Sequence, residues 1–442
     1  MAPTNIPKRI STAILNSFGS GVVPRVGLEY VAVGRKEEVA ALLGDLQNVA
    51  DGGASFRFVV GRYGSGKSFM LQLIRNYALD RDFVVADADL GPERRLAGSD
   101  GSGVATYREL LRNVSTKTRS DGGALAPILE RWISNIQAQV IGELKLRPDD
   151  PKFGDAVEMK IVEIVNAMEG MVHGFDFAAV ISTYWRGHRQ GEQGLKDNAL
   201  RWLRGEFTTK TEAREALGVR VIIDDDCWYD YLKLLAKFVT DIGFKGLLVL
   251  LDEAVYLCKI THSVSRQNNY EKLLAIFNDT MQGKAEHLGI LMAGTAQFVE
   301  DPQRGLFSYE ALRSRLVDSR FAIAGLRDTS GPLIRLPTLT PEEILVLLDR
   351  LSDIHAVHYG YTKTLQSENL KDFMQVITDR LGADALLTPR EVVRDFITVL
   401  NLLRQFQQLS FGQVIHGSDF KPTPAGAEQN AEVTGDFSEF KL

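Results

Sequence analysis

The stretch Phe56-Arg-Phe-Val-Val-Gly-Arg-Tyr-Gly-Ser-Gly-Lys-Ser-Phe-Met70 leaves this chain few folds to choose from. A short apolar run rich in Phe and Val reads as a buried strand. It runs into Gly61-x-x-x-x-Gly66-Lys67-Ser68 and then into an amphipathic segment, Phe69–Leu79. Strand, glycine loop and helix together make a phosphate-binding loop. The glycines let backbone N–H groups turn toward an anion without a Cβ in the way. The start of the next helix adds unpaired N–H groups and a positive dipole end. Lys67 is then placed for the outer phosphates, and Ser68 for a magnesium ion.

A phosphate-binding loop calls for further parallel strands, and an α/β class follows. Phe83–Leu90 reads as a second core strand with an acidic end, Leu247–Leu251 as a third, and Leu288–Thr295 as a fourth. Leu333–Leu336 reads as an extended piece leaving the core. The gap between the second and third strands far exceeds the ~30 residues of one strand–helix–strand unit. Most of it has helical periodicity: Val104–Thr118, Leu125–Leu146, Ala156–Met171, Phe175–Arg189, Leu195–Leu203 and Asp226–Ile242. Thr209-x-x-Glu212 is a capping-box pattern for a short helix ending near Gly218. Glu271–Lys284 and Tyr309–Leu316 are further helices. After Thr340 the chain reads as all helical, over Pro341–Val357, Ser367–Leu381 and Arg390–Phe406. The tail from Gly417 has no periodicity, and its composition predicts disorder.

Composition narrows the function classes. The net charge of −6 argues against a generally basic nucleic-acid coat but not against a local basic face. The two cysteines, Cys227 and Cys258, lack metal or redox spacing and read as small buried apolar groups, which fits a reducing, cytoplasmic setting. No apolar run has the length of a membrane span, and Met1–Arg9 lacks the apolar core of a signal peptide.

Beyond the loop, Gly246-Leu-Leu-Val-Leu-Leu-Asp252-Glu253 ends an apolar strand in two carboxylates. Strand alternation would send them different ways. Asp252 is the candidate for the magnesium shell, and Glu253 the candidate for polarising an attacking water. Thr295, at the end of the fourth strand, is a candidate γ-phosphate contact. Arg313, Arg315 and Arg320 follow it, and arginine supplied across a subunit boundary stabilises charge in phosphoryl transfer. Thr388-Pro389-Arg390 opens the last long helix, from which Arg390 can project back to a nucleotide. His355-x-x-His358 lacks a third ligand and reads as packing rather than as a metal pair. Trp185-Arg186-Gly187-His188-Arg189, with Arg201, Trp202 and Arg204, mixes aromatic and basic residues. The pattern suits either nucleic-acid stacking or two amphipathic helices with core tryptophans.

In this order the motifs resemble those of an AAA+ ATPase of the initiator and signal-transduction branch: Gly34-Arg35, the phosphate loop, Asp252-Glu253, Gly294-Thr295, Leu-Arg-Ser-Arg315-Leu, Ile334-Arg-Leu-Pro-x-Leu-Thr and Pro389-Arg390. More narrowly, Gly21-Val-Val-Pro-Arg-x-Gly-Leu-Glu-Tyr-Val-Ala-Val-Gly-Arg35 and Asp301-Pro-x-Arg-Gly-Leu-Phe-Ser-Tyr-Glu-Ala-Leu-Arg-Ser-Arg-Leu316 are similar to the ATP-binding proteins of BREX-type phage-defence systems, often called BrxD and encoded beside helicases.

The resemblance implies a parallel αβα P-loop core, here 31–337, and a C-terminal helical lid, here 338–416. The residues themselves add a helical insertion at about 100–220 within that core, an N-terminal arm (1–30) and a disordered tail (417–442). ATP and Mg²⁺ are the implied ligands. Gly34, Arg35, Gly61, Tyr63, Gly64, Ser65, Gly66, Lys67, Ser68 and Phe69 would surround the nucleotide, with Arg390 as the lid's sensor. Ser68 and Asp252 would hold the metal. Glu253 would be the catalytic base, Thr295 a first sensor and Arg315 the arginine finger, with Arg313 and Arg320 as fallbacks. Thr295 stands where this class usually has Asn, and the large insertion is outside its pattern. The expected activity is ATP hydrolysis in phage defence, with assembly into a ring or filament and with DNA or a helicase as partner. A slow ATP-dependent switch or scaffold would share every motif. A small-molecule kinase would need neither the lid arginine nor the finger cluster.

Overall fold

A computed structural model describes residues 6–166, 171–316, 329–381 and 388–422. Arg320 and the tail from 423 onward lie outside the described residues. The chain divides into two compact units. One takes in Glu37–Val60 and Ile74–Arg335, and the other Met1–Lys36, Gly61–Leu73 and Leu336–Leu442.

The larger unit is α/β. Its sheet has strands β1 (Ala54–Gly61), β2 (Val84–Asp89), β3 (Leu247–Asp252), β4 (Leu288–Gly294) and β5 (Leu333–Leu336), in the order β2-β3-β4-β1-β5. β1 runs parallel to β4, β4 to β3 and β3 to β2. Every residue of β4 is buried, as are the first five of β3. A strand covered on both faces needs an unbroken apolar run, and these two sequences supply one. The piece read as leaving the core, Leu333–Leu336, is instead the edge strand beside β1. With only four residues and an exposed Arg335, it carries too little alternation to announce itself.

Between β2 and β3 the chain forms a run of helices from Ser102–Arg112 to Trp228–Asp241. They belong to the same apolar core as the sheet. Trp132 and Phe177 pack on Phe238 with ring centroids 5.3 and 5.8 Å apart, and Trp202 meets Tyr231 edge-on at 5.2 Å. At ~1.5–3 kcal/mol of transfer free energy for each large buried side chain, these rings stabilise the helical run as part of the domain. The expected short helix forms over Lys210–Leu217, with the Thr209 hydroxyl accepting from the Glu212 N–H and Gly218 left-handed at its end. The helix expected at Glu271 begins earlier, at Ser263, where the His262 ring accepts from the Ser265 N–H. A polar first turn had hidden that start.

Among its described residues, the regular structure of the smaller unit is mostly helical. Pro341–Tyr359 opens on a full capping box. The Thr340 hydroxyl accepts from the Glu343 N–H, and the Glu343 carboxylate accepts from the Thr340 N–H. Pro341–Tyr359, Ser367–Leu381 and Pro389–Gln405 bury Leu348, Leu351, Phe373, Ile377, Phe396 and Ile397 together. The N-terminal helix Lys8–Gly19 adds Ile14 and Leu15 to that core. A further helix, Phe411–His416, lies beyond the last one read from the sequence; its capping box is Ser410 with Gln413. Phe420, inside the stretch read as tail, packs 6.0 Å from the Phe373 ring.

Candidate functional site

The loop after β1 takes the conformation its glycines permit. Gly64 and Gly66 sit at φ +76° and +90°, in the left-handed region that a Cβ disfavours. Gly61 is required for a different reason: a Cβ there would lie 2.8 Å from the Leu336 carbonyl oxygen. The helix begins at Lys67, directly after the loop, so the N–H groups of its first turn are presented at the loop's mouth. Lys67 Nζ donates to the Arg62 carbonyl at 3.0 Å. Ser65 Oγ is buried and, among the described residues, has no hydrogen-bond partner. A cradle of backbone donors at a helix start, with an orphaned hydroxyl inside it, fits the phosphates of a nucleotide.

Other residues of the same unit brace this loop. Arg35 is buried, and its guanidinium donates to the Ser65 carbonyl at 3.0 Å and to the Pro337 carbonyl. Gly34 has φ +69°, and a Cβ there would run into the Glu343 carboxylate. Thr388 is buried against Gly64, where an added Cβ would sit 2.6 Å from the Thr388 Cβ. Arg390 follows in the first turn of Pro389–Gln405. Its Nε donates to the Gly21 carbonyl and its Nη1 to the Tyr63 hydroxyl, both at 2.6 Å. The Gly34-Arg35, loop and Pro389-Arg390 candidates thus come together in one unit. The packing of Thr388 on Gly64 had no sequence signal, since neither residue type announces such a contact.

The acidic candidates lie at one edge of the sheet in the larger unit. The parallel register pairs Val60 with Gly294, Leu251 with Met292 and Asp89 with Asp252, so β1, β2, β3 and β4 end on the same side. Asp252 Oδ1 accepts from the Glu253 N–H at 2.7 Å. Glu253 is past the strand and has φ +57°, which is uncommon for a residue with a side chain. Its direction is therefore set by a left-handed turn rather than by strand alternation. Asp89 is the neighbour the sequence hinted at without assigning a role. Burial first, and then the charges of Asp252 and Asp87, push its carboxyl above the ordinary range.

Thr295 caps the helix Ala296–Glu300, its hydroxyl oxygen accepting from the Phe298 N–H at 3.2 Å. Its O–H remains a donor for another group. Arg315 is exposed; its Nε donates to Asn278 Oδ1 at 3.0 Å and its Nη1 to the Ala311 carbonyl at 2.6 Å. Arg313 is also exposed, 4.0 Å from Glu310.

The remaining motifs resolve as packing. His355 is buried between Tyr361 Oη at 2.8 Å and Asn401 Oδ1 at 3.2 Å, while His358 turns to Ser11 Oγ at 2.8 Å. No group of metal-ligating side chains forms among the described residues. Trp185 and Trp202 are buried, where no base can stack on them. Arg189 pairs with Asp155 and Glu158, and Arg201 with Glu212. Cys227 and Cys258 are free and buried, and burial pushes the Cys227 thiol up to about 12. No helix among the described residues is long and apolar enough to cross a membrane.

No curated protein matches the chain significantly. The profile of one family, described as BREX system ATP-binding protein BrxC/D, matches residues 6–419. That span runs from the N-terminal helix through the loop, the acidic strand end and the Arg390 helix to just past the helix Phe411–His416, and the chain therefore belongs to the BrxC/D family of BREX ATP-binding proteins.

Proposed function

We propose that the chain is an AAA+ ATPase of phage defence that binds ATP with Mg²⁺ and hydrolyses it. The observation that carries this reading is the Gly61–Ser68 loop, left-handed at Gly64 and Gly66 and closing on a helix start at Lys67. Backbone N–H groups from Gly64 to Phe69 and the Lys67 amine would take the phosphates, with Arg35 holding the loop from behind. Ser68 and Asp252 would hold the metal, which supplies charge neutralisation on the phosphates. Glu253 would accept the proton of the attacking water, and the Thr295 hydroxyl would donate to the γ-phosphate. Arg390, on the helical lid, would read the third phosphate. Arg315, or failing it Arg313 or Arg320, would act on a neighbouring protomer's nucleotide and couple hydrolysis to a ring or filament.

DNA, a helicase or other defence proteins in the cytoplasm would be the chain's partners, and the helices between β2 and β3, read as an insertion, would move with the sheet when nucleotide changes. Their shared core with the sheet supports transmission of movement. One observation favours slow turnover by the isolated chain, as in a switch: Arg315 is engaged with its own Asn278 and Ala311. Phosphate release by the purified protein, with and without duplex DNA and the system's helicase, separates the two. Strong stimulation supports the motor, slow unresponsive turnover the switch, and no ATP binding at all overturns both.

A further inference from the structure

Tyr63 occupies a loop position that any residue suited to the turn could fill, yet it is an aromatic side chain left 41 % exposed. Its use becomes apparent at Arg390. Nη1 of that arginine donates to the Tyr63 hydroxyl at 2.6 Å, and its Cζ lies 5.8 Å from the centre of the tyrosine ring. Nε donates to the Gly21 carbonyl, also at 2.6 Å. The backbone at the start of this helix is fixed independently, by buried Thr388 against Gly64 and by Pro389 at the first helical position. What remains to be set is the direction of a long side chain with many rotamers. A planar guanidinium held at two of its edges by separate acceptors has its orientation defined. A phenol is a neutral acceptor, so Tyr63 orients the guanidinium without adding a counter-charge of its own.

Resting on the nucleotide-binding reading above, we propose that Tyr63 is a positioning residue. Its hydroxyl and ring aim Arg390 at the mouth of the Gly61–Ser68 loop, so that the preference for a nucleoside triphosphate over a diphosphate depends on a tyrosine at this place. The Gly21 carbonyl is the second tether. It ties the turn after the N-terminal helix to the same guanidinium, so a shift of Arg390 toward a third phosphate is felt at that turn.

The test is equilibrium binding of fluorescent ATP and ADP analogues to the full chain, for the wild type, Tyr63→Phe, Tyr63→Trp, Arg390→Ala and the double variant Tyr63→Phe/Arg390→Ala. A hydrogen bond to a charged group is worth on the order of tenfold in affinity. Tyr63→Phe is therefore expected to lower the preference for triphosphate over diphosphate about tenfold. Tyr63→Trp, which keeps the aromatic surface but offers no acceptor, should lose as much. In the Arg390→Ala background, Tyr63→Phe should change nothing. Hydrogen exchange at the amides of residues 20–23 in the nucleotide-free protein should rise in Arg390→Ala. An unchanged triphosphate-to-diphosphate ratio in Tyr63→Phe overturns the proposal, as does equal weakening of both nucleotides or a Tyr63→Phe loss that persists without Arg390. Wild-type protein that binds neither nucleotide overturns the ATP-binding reading itself, and this inference with it.

Discussion

The ends of β1 and β3 meet the same backbone demand in opposite ways. Both strands must stop at the edge of a parallel sheet, and both are followed by a left-handed residue. After β1 that residue type is glycine, twice, at Gly64 and Gly66. After β3 it is Glu253, whose side chain makes φ +57° costly by on the order of 1 kcal/mol or more. The chain places glycine in the first turn and glutamate in the second, where glycine would be easier, so the second turn carries backbone strain at a residue with a carboxylate. The first end is built from main-chain donors, the second around one side chain.

Four measurements test that contrast. Glu253→Gln should lower the rate of ATP hydrolysis about 10²–10⁴-fold, the range for loss of a general base, while ATP binding measured by fluorescence stays within about threefold. Normal hydrolysis by this variant would remove the catalytic assignment. Gly66→Ala should weaken ATP binding by about tenfold or more, because a Cβ at φ +90° costs of order 1–2 kcal/mol or forces the loop to move. Retained affinity would mean the cradle is not what binds. Glu253→Gly should lower hydrolysis as far as Glu253→Gln yet leave stability within about 1 kcal/mol, because relief of the left-handed φ offsets glycine's greater unfolded-chain entropy; the denaturant midpoint should barely move. A loss well beyond that would show that the left-handed turn is not a strain that glycine relieves.

The smallest effect is expected at Asp89. Its raised pKa means the folded state holds the proton more tightly than the unfolded chain. The stabilising contribution is full below the ordinary carboxylate range and is lost as pH rises through the raised value. Asp89→Asn should therefore stabilise the protein modestly at pH 7, with the gain vanishing in acid. A gain independent of pH would show that its source is neither burial of the charged carboxylate nor repulsion from Asp252 and Asp87.

Much of this was legible because the physics is local. Glycines at fixed spacing, a Thr-Pro-Glu-Glu cap at residues 340–343 and unbroken apolar runs for β3 and β4 each dictate backbone within a few residues. The helix Ser367–Leu381 was read to the residue for that reason. Other features had no local signal. Leu333–Leu336 became an edge strand because β1 offered it a free flank. Trp185 and Trp202 could have faced outward on amphipathic helices; the neighbouring Trp132, Tyr231 and Phe238 core decided that they do not. The short helix Val255–Lys259 follows from the turn at Glu253, and glutamate advertises no such turn.

The sequence by itself determined a phosphate-binding loop on a strand–helix junction, an α/β class, and the candidate acids and arginines, because spacing and residue type act through nearest neighbours. Only the tertiary structure decided that Arg390 reaches Tyr63 and Gly21, that Arg35 holds the loop from behind, that Asp89 lies in register with Asp252, and that Glu253 is left-handed. Those facts depend on contacts between residues far apart in the chain, or on a backbone angle that the surrounding fold imposes against the residue's own preference.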